Sequence, residues 1–392
     1  MTNMKYILLW GVCTFFSLAC GTPAVESETL PKTEPMGTVV SFENNPNYLP
    51  PKLFALWNSL TLEEKIGQTI MVYMSSPEMI AENNLGGILA MGPHLADMKL
   101  FKRNLGKISS RIKVPLLVSI DQEGGNVSRV GRFDSTWRET PGPQEMRNMP
   151  PEHIVPIARD IAVTLKETGF NLNLAPAIDP VLTFDGKVSF MERYKRSWGG
   201  LSNVFRVEAF VEGMKQGGVA CVLKHFPGYD SEQDSDVQVA FSRSSKKRVV
   251  ENIQMFKDLS NKVHAIMMSS VRYREISDAP AVFEKKIVDM AHEFDEDLVV
   301  MTDHLWGTTL LSWISGPELA KSKSYPDTEF KKVLKAAFDA GNDIFLITNS
   351  AKAPAMKKYL LELALQDKAN LERLERSVAR VLKLKYRMGL IP

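Results

Sequence analysis

The sequence predicts an α/β fold of the (β/α)8 type, a TIM-like barrel in a single domain. Eight short segments are almost continuously apolar, as expected of parallel strands buried on both faces. The chain between successive segments is long enough for a helix, and polar or charged residues follow several of them. The alternative is a doubly wound open sheet, which ordinarily carries a glycine-rich phosphate-binding turn after its first strand. The sequence has no such turn there.

The eight predicted strands follow one another at irregular spacing. They are 70–74, 87–90, 115–120, 172–175, 219–223, 265–269, 298–302 and 344–348. A helix start precedes the first of them, because Thr61 and Glu64 have the spacing of a capping box, in which each residue satisfies a free backbone N–H. We therefore expect the regular part of the domain to open near residue 60.

The final segment, 371–390, has helical periodicity. Four apolar residues and one lysine are spaced to fall on one face of a helix: Leu374, Val378, Val381, Leu382 and Lys385. We predict a closing helix that packs this face against the rest of the domain.

The N-terminal residues carry the pattern of an export signal. Lys5 precedes an apolar run, 6–18, that is short for a membrane span and suits a signal-peptide core. The run ends in Leu18-Ala19-Cys20-Gly21, which resembles a bacterial lipobox, with Cys20 as the residue that carries the lipid. The segment that follows is rich in Pro, Glu, Thr and Ser, as extended tethers are. We predict a lipoprotein signal peptide over 1–20, a flexible tether over 21–50 and the barrel over 51–392.

These N-terminal features predict a location in the cell envelope. Acyl chains contribute about 0.8 kcal/mol for each buried methylene, so a lipidated Cys20 would anchor the protein to a bacterial membrane without spanning it. We expect the outer membrane or the cell surface. The alternative is an ordinary secretory signal with an incidental cysteine.

Charge, cysteine and histidine content argue against several partners. The formal net charge is +2, and no Lys/Arg run is long enough to indicate nucleic acid binding. Once Cys13 leaves with the signal and Cys20 is lipidated, Cys221 remains alone and no internal disulfide is possible. The six histidines are scattered, so we predict no metal site and no cofactor.

Charged residues follow four of the predicted strands. Asp121 follows the third strand, Asp179 comes shortly after the fourth, Lys224 and His225 follow the fifth, and Asp303 follows the seventh. A barrel collects the carboxyl ends of its strands on one face, where the active sites of such barrels are built. The sequence therefore predicts that these residues converge in an active site.

Five motifs in order carry a family resemblance that covers nearly the whole predicted domain. They are Asp121-Gln122-Glu123-Gly124-Gly125 with Arg129, Arg196-Ser197-Trp198-Gly199, Lys224-His225-Phe226-Pro227-Gly228, Thr302-Asp303-His304-Leu305 and Ala340-Gly341-Asn342-Asp343. The set resembles family 3 glycoside hydrolases of the single-domain β-N-acetylhexosaminidase type. Because the sequence ends after the predicted closing helix, we expect no second sandwich domain of the kind found in larger β-glucosidases of the family.

The resemblance implies an activity and a set of residue roles. It implies a retaining hydrolase that removes terminal N-acetylglucosamine from peptidoglycan- or chitin-derived glycans, acting as a monomer. Asp303 matches the nucleophile that forms the covalent glycosyl ester, and we expect a nearby cation such as Lys224 to favour its ionised form. The residues that match the family's substrate contacts are Asp121, Arg129, Arg196, Lys224 and His225. For the arginines, a structural network of buried ion pairs is the alternative.

The acid/base loop departs from the family pattern. Asp236 stands where the family has its general acid/base His, and Asp234 matches the carboxylate that orients that His. An ordinary Asp has a pKa of about 3.9 and lacks the proton near neutral pH. We expect the two carboxylates to raise one another's pKa, which would let Asp236 act as the acid with Asp234 as its partner. Asp230 and Glu232 of the same loop are further candidates, and a solvated turn without a catalytic part is the alternative.

Two other functions remain open from the sequence. One is a sugar-binding lipoprotein that keeps the pocket but has lost catalysis. The other is a hydrolase of a different glycoside, such as a β-glucoside, although the KHFPG motif and the single domain favour the hexosaminidase type.

Overall fold

Eight short parallel strands form the centre of the fold. The computed structural model describes residues 48–321 and 325–392. The strands, labelled β1 to β8 in chain order, are Ile70–Tyr73, Gly87–Ala90, Leu117–Ile120, Leu172–Asn173, Ala220–Phe226, Ala265–Met268, Val299–Met301 and Phe345–Ile347. All eight predicted strands are confirmed, with small differences at their ends.

The strands close into a barrel. Strands β1 to β7 pair in parallel, each with the next along the chain, and β8 pairs in parallel with β1, where Ile70 lies beside Phe345. A parallel bridge between Met301 and Ile344 joins β7 to the start of β8. The sheet is therefore a nearly closed (β/α)8 barrel, as predicted, and the open-sheet alternative is excluded.

Helices alternate with the strands around the barrel. The α-helices are Pro51–Ser59, Leu62–Gln68, Pro77–Glu82, Met98–Ser109, Pro143–Met146, Pro151–Thr168, Phe190–Arg193, Val204–Gln216, Lys246–Ser260, Lys285–His292, Thr308–Ser315, Pro317–Lys321, Asp327–Ala340, Ala353–Ala364 and Lys368–Arg387. The predicted capping box is present, since Thr61 Oγ1 accepts from the Glu64 N–H at 3.2 Å and Glu64 Oε2 accepts from the Thr61 N–H at 2.9 Å. A further helix, Pro51–Ser59, precedes it, so regular structure begins earlier than residue 60.

Two short strand pairs lie outside the barrel. Thr183–Phe184 pairs antiparallel with Lys187–Val188, and Phe241–Ser242 pairs in parallel with Arg272–Tyr273. The second pair links the long connection after β5 to the segment after β6. It therefore helps to position the loop that follows Lys224 and His225.

The closing helix, Lys368–Arg387, covers the amino ends of the strands. Val381 packs in the core cluster that fills the barrel interior, and Arg380 Nη1 pairs at 3.1 Å with Asp343, just before β8. The predicted face of this helix is buried in full: Leu374, Val378, Val381, Leu382 and Lys385. The opposite end of the barrel is left for the functional side chains.

The predicted export features lie outside the described part of the chain. Cys20, the signal peptide over 1–20 and almost all of the tether over 21–50 fall among residues that the structure does not describe. Within 48–321 and 325–392, no helix has the length and apolar character needed to cross a membrane.

Candidate active site

A cavity of about 210 Å³ lies at the carboxyl ends of the barrel strands. Its wall includes Tyr73 of β1, Leu346 of β8 and the predicted site residues. The predicted residues that line it are Asp121, Arg129, Arg196, Lys224, His225, Asp234, Asp236 and Asp303. The structure thus brings together side chains from the ends of β3, β5 and β7 and from two long loops.

A larger cavity, about 930 Å³, lies at the opposite end of the barrel. It is lined by residues near the starts of strands, such as Cys221 and His264, and by the end of the closing helix at Arg387. The predicted site residues are all elsewhere. Because active sites of such barrels are built at the carboxyl ends of the strands, the smaller cavity is the candidate active site.

Glu123 lies behind the cavity wall and binds two of the cations that line it, Arg196 and Lys224. Its carboxylate accepts from Arg196 Nε at 2.9 Å and from Arg196 Nη2 at 2.8 Å, and it lies 2.8 Å from Lys224 Nζ. The Glu123 side chain is fully buried, which alone would raise its pKa, but the two cations hold that pKa well below its usual range. Glu123 belongs to the motif that runs from Asp121 to Gly125, but this role was not predicted from the sequence. Its position two residues after Asp121 was the available signal.

Lys224 also holds Asp121 in place. Its Nζ donates to Asp121 Oδ1 at 2.7 Å, and its side chain is only 3% exposed. Burial alone would lower the pKa of Lys224, but the charges of Asp121 and Glu123 raise it above its ordinary value. The ammonium therefore pairs with Asp121 and Glu123. From the sequence we had expected its charge to favour the ionised form of Asp303.

Arg129 and Arg196 differ in their partners. Arg196 makes the bidentate pair with Glu123, so the ion-pair alternative describes it, although it still lines the cavity. The buried Nε of Arg129 has no hydrogen-bond partner among the described residues. Arg129 also lines the cavity, so its guanidinium is placed to contact a bound molecule.

Asp179 supports the site from behind. Its Oδ2 lies 2.9 Å from His225 Nδ1, and its Oδ1 accepts from the backbone N–H groups of His225 and Tyr229 at 3.0 and 2.6 Å. Asp179 is fully buried and does not line the cavity. The sequence placed Asp179 shortly after the fourth strand and predicted that it joins the active site, whereas the structure places it behind the cavity, where it orients the His225 ring.

Asp303 stands just after β7 at the cavity wall. Its Oδ1 accepts from the backbone N–H of His304 at 2.7 Å, and the preceding Thr302 accepts from the Leu346 N–H at 3.0 Å. These bonds fix the end of β7 against β8. The Asp303 carboxylate is thereby held at the mouth of the barrel beside the residues from β3 and β5.

Tyr229 ties the loop after β5 into a compact turn. Its hydroxyl donates to the Gln233 carbonyl and accepts from the Ser235 N–H, both at 2.7 Å. Asp230 is buried beneath the turn, where it accepts from the Ser242 hydroxyl at 2.7 Å. Burial raises the pKa of Asp230 to about 6. Asp230 does not line the cavity, so the structure places this candidate acid away from it.

Asp236 is paired with His304, which was not among the predicted site residues. His304 Nε2 lies 3.0 Å from Asp236 Oδ1, and both residues line the cavity. Burial alone would lower the pKa of His304, but the hydrogen bond to Asp236 and the charges of Asp303, Asp236 and Asp121 raise it to about 9. The hydrogen bond from His304 in turn lowers the pKa of Asp236.

This pairing corrects two expectations for the loop. We expected Asp234 to raise the pKa of Asp236, but that pKa is lowered because a protonated imidazole faces it. Asp234 Oδ1 accepts from the backbone N–H of Asp236 at 3.0 Å, so its observed role is to shape the turn. The signal for His304 was its place next to Asp303, but its partner lies 68 residues away in the sequence.

Metal binding is not indicated by the described side chains. Within 48–321 and 325–392, no cluster of three or more His, Cys, Asp or Glu side chains is arranged to hold an ion. The absence of a cofactor stays a prediction. The chemistry available in the cavity is that of carboxylates, imidazoles and cations.

Comparison with known proteins gives consistent matches. Residues 61–384 match the model of the glycosyl hydrolase family 3 N-terminal domain. A beta-hexosaminidase from Mannheimia succiniciproducens is 29% identical over 240 residues, which cover 54% of this chain and 64% of that protein. The chain thus spans less than two thirds of the length of this curated relative.

Solved structures share the fold. The β-N-acetylhexosaminidase from Beutenbergia cavernae has a TM-score of 0.69 and 24% identity, covering 83% of this chain and 99% of that one. A glycoside hydrolase family 3 β-N-acetylglucosaminidase from a Paenibacillus species has a TM-score of 0.67 and 27% identity, covering 84% of this chain and 63% of that one.

Proposed function

This chain belongs to glycosyl hydrolase family 3, as its motifs predicted, and we propose that it is a retaining β-N-acetylhexosaminidase with Asp303 as its nucleophile. The observation that carries the proposal is the position of Asp303 at the end of β7, in one cavity with Asp121, Lys224 and His225. A retaining glycosidase needs a carboxylate beside the anomeric carbon, with donors and acceptors for the sugar hydroxyls around it. The names of the related proteins support the same activity.

The proposed substrate is a glycan with a terminal N-acetylglucosamine, such as a fragment of peptidoglycan or chitin. The related proteins described as β-hexosaminidase and β-N-acetylglucosaminidase support this sugar. The cavity volume of about 210 Å³ is below the roughly 300–1,000 Å³ of pockets for drug-sized ligands. That size favours one terminal sugar over an extended chain.

In the proposed mechanism, Asp303 attacks the anomeric carbon while the glycosidic oxygen leaves. A covalent glycosyl ester on Asp303 results, and water then hydrolyses it. Asp121 accepts from sugar hydroxyls, and the Lys224 ammonium at 2.7 Å keeps its carboxylate oriented for that contact. Arg129 and His225 complete the grip on the sugar.

The activity can be tested with two substrates of different leaving-group quality. The full-length protein is assayed for release of N-acetylglucosamine from a nitrophenyl β-glycoside and from chitobiose. We expect cleavage of both, and Asp303→Ala should lower both rates by at least about 1,000-fold. Asp289→Ala, on the outer helix Lys285–His292, is the matched control and should keep full activity. Saturable sugar binding by the unmodified protein with no cleavage of either substrate would contradict the proposal and favour the sugar-binding lipoprotein.

We further propose that the protein is exported and lipid-anchored in the bacterial cell envelope. The Leu18-Ala19-Cys20-Gly21 sequence supports this, together with the composition of the segment that follows. In cells fed a radiolabelled fatty acid, the full-length protein should incorporate label and sediment with membranes. Cys20→Ala should abolish both properties, whereas Cys221→Ala should keep them. Export without incorporation of label would support the ordinary secretory signal.

A further inference from the structure

We propose that His304 is the general acid/base of the reaction and that Asp236 positions and charges it. The inference rests on the proposed glycosidase function, and it assigns the proton-transfer step that the loop sequence alone left to a carboxylate. The two side chains come from different strand ends, yet they meet at the cavity wall with 3.0 Å between His304 Nε2 and Asp236 Oδ1.

The geometry selects one ring nitrogen for proton transfer. His304 Nδ1 is buried and has no hydrogen-bond partner among the described residues, and the ring packs against Gly307, where an added Cβ would come within 3.3 Å of Cε1. Nε2 is the nitrogen that already contacts a proton acceptor at the cavity. The His304 side chain is 24% exposed and that of Asp236 is 64% exposed, so Asp236 lies nearer the solvent and His304 deeper, beside Asp303.

The charges around the pair keep the proton on the imidazole. The carboxylates of Asp236, Asp303 and Asp121 all act on His304 and favour its cationic form. For the other member of the pair, Asp236, the charges of Arg196 and His225 lower the pKa and favour the ionised form. Asp234 and Arg129 also line this cavity, and Lys224 is paired with Asp121 and Glu123. Near neutral pH the pair is therefore imidazolium and carboxylate, and the proton to be donated is on His304.

The proton step then balances without a further reactant. As the bond between the anomeric carbon and Asp303 forms, the bond to the glycosidic oxygen breaks, and the Nε2–H proton moves to that oxygen. Neutral His304 next takes a proton from the water that attacks the ester, which frees Asp303 and restores the imidazolium. Asp236 attracts the imidazolium and keeps it charged between turnovers. Because Asp236 contacts Nε2 itself, its hydrogen bond with Nε2–H gives way to the glycosidic oxygen when the sugar is bound.

The test compares how kcat/KM of the full-length protein depends on the leaving group of the substrate. A nitrophenyl leaving group needs little protonation, whereas the sugar leaving group of chitobiose needs the acid. We expect His304→Gln to lower kcat/KM for chitobiose by about 100- to 10,000-fold and that for the nitrophenyl glycoside by less than about tenfold. His153→Gln, at an exposed position on the outer helix Pro151–Thr168, is the matched control and should match the unmodified protein on both substrates.

The pH dependence of the rate distinguishes two roles for Asp236, namely positioning and charging His304 or only packing in the loop. With the unmodified protein, chitobiose hydrolysis should fall as the pH rises through the pKa of His304. Asp236→Asn removes the carboxylate that raises this pKa, so the alkaline limb should move to lower pH. A purely structural role for Asp236 would lower the rate without moving the limb.

The outcomes distinguish this inference from the function on which it rests. If the unmodified protein cleaves both substrates and His304→Gln has the same effect on each, the inference is wrong and the glycosidase function stands. If the unmodified protein cleaves neither substrate, both are wrong. Retained cleavage of the nitrophenyl glycoside by His304→Gln shows that the variant is folded.

Discussion

Lys385 Nζ donates to Gln68 Oε1 at 2.6 Å, which joins the closing helix to the residue two positions before β1. The two residues are 317 positions apart in the sequence, and Lys385 is fully buried. Burial lowers the pKa of this lysine to about 7. The amino end of the barrel therefore contains a buried base that loses its charge close to neutral pH.

Because of Lys385, the free energy of unfolding should vary with pH in the range above neutrality. Its pKa is about 7 in the folded chain and 10.5 for an ordinary lysine, so between these values the unfolded chain binds more protons. The free energy of unfolding should rise with pH across that window, by up to about 1.4 kcal/mol per unit from this group. Urea unfolding at pH 7, 8 and 9 measures the slope. Lys385→Met should remove this contribution, and Lys102→Met, on the outer helix Met98–Ser109, should keep it. An unchanged slope in Lys385→Met would contradict the assignment.

Replacement of Glu123 should destabilise the protein more than the loss of a surface charge does. Glu123→Gln leaves the buried ammonium of Lys224 and the partly buried guanidinium of Arg196 without their shared carboxylate. Breaking a buried ion pair from one side costs about 3–5 kcal/mol, whereas an exposed pair is worth about 0–1 kcal/mol. Asp289→Asn, which removes the exposed partner of Lys285, is the matched control. Chemical unfolding of both variants should show the contrast, and equal losses would disprove it.

Removal of the Tyr229 hydroxyl should loosen the loop that carries Asp236. Tyr229→Phe loses the hydrogen bonds to Gln233 and Ser235, each of which contributes about 0.5–1.5 kcal/mol. We expect the free energy of unfolding to fall by about 1–3 kcal/mol and chitobiose hydrolysis to fall more than nitrophenyl glycoside hydrolysis. Tyr194→Phe, at a 47% exposed tyrosine, should change neither quantity. A loss of stability with equal effects on the two substrates would mean that the loop does not serve the acid.

A methyl group at position 307 should displace the His304 ring. In Gly307→Ala the added Cβ would lie 3.3 Å from His304 Cε1, which is close enough to force a shift of a few tenths of an ångström. The backbone there has φ −106°, which alanine adopts without strain, so stability should change by less than about 1 kcal/mol. We expect a lower rate on chitobiose with the nitrophenyl rate nearly kept. Gly106→Ala, where the Cβ meets nothing within 4 Å, should leave both rates unchanged.

The fold followed from the sequence because its signals are local. A parallel strand buried on both faces requires a short apolar run, and such runs marked all eight strands. The exact residues at which strands end were harder to predict. Strand β4 is only Leu172–Asn173, and the Asn173 side chain bonds both the N–H and the carbonyl of Gln122 at 2.9 Å. That side-chain pairing depends on Gln122, which lies just after β3 and 51 residues away in the sequence.

The members of the site were predictable, but their partners were not. The rule that a barrel gathers its strand ends places Asp121, Lys224 and Asp303 together. No local pattern indicates that Asp236 faces His304 rather than Asp234, because this depends on how the loop after β5 folds over the end of β7. The predicted direction of the pKa shift of Asp236 was wrong for the same reason. The group that faces Asp236 is the His304 imidazolium, which lowers its pKa.

The closing helix and the candidate active site occupy opposite ends of one barrel. Charged pairs such as Arg380 with Asp343 and the Lys385–Gln68 contact fasten the amino end, while the reacting groups stand at the carboxyl end. Substitutions far apart with no shared partners act additively on stability. Stabilising substitutions at the helix-covered end should therefore add to the effects of substitutions at the open end, so heat tolerance can be raised at one end to offset stability lost at the other.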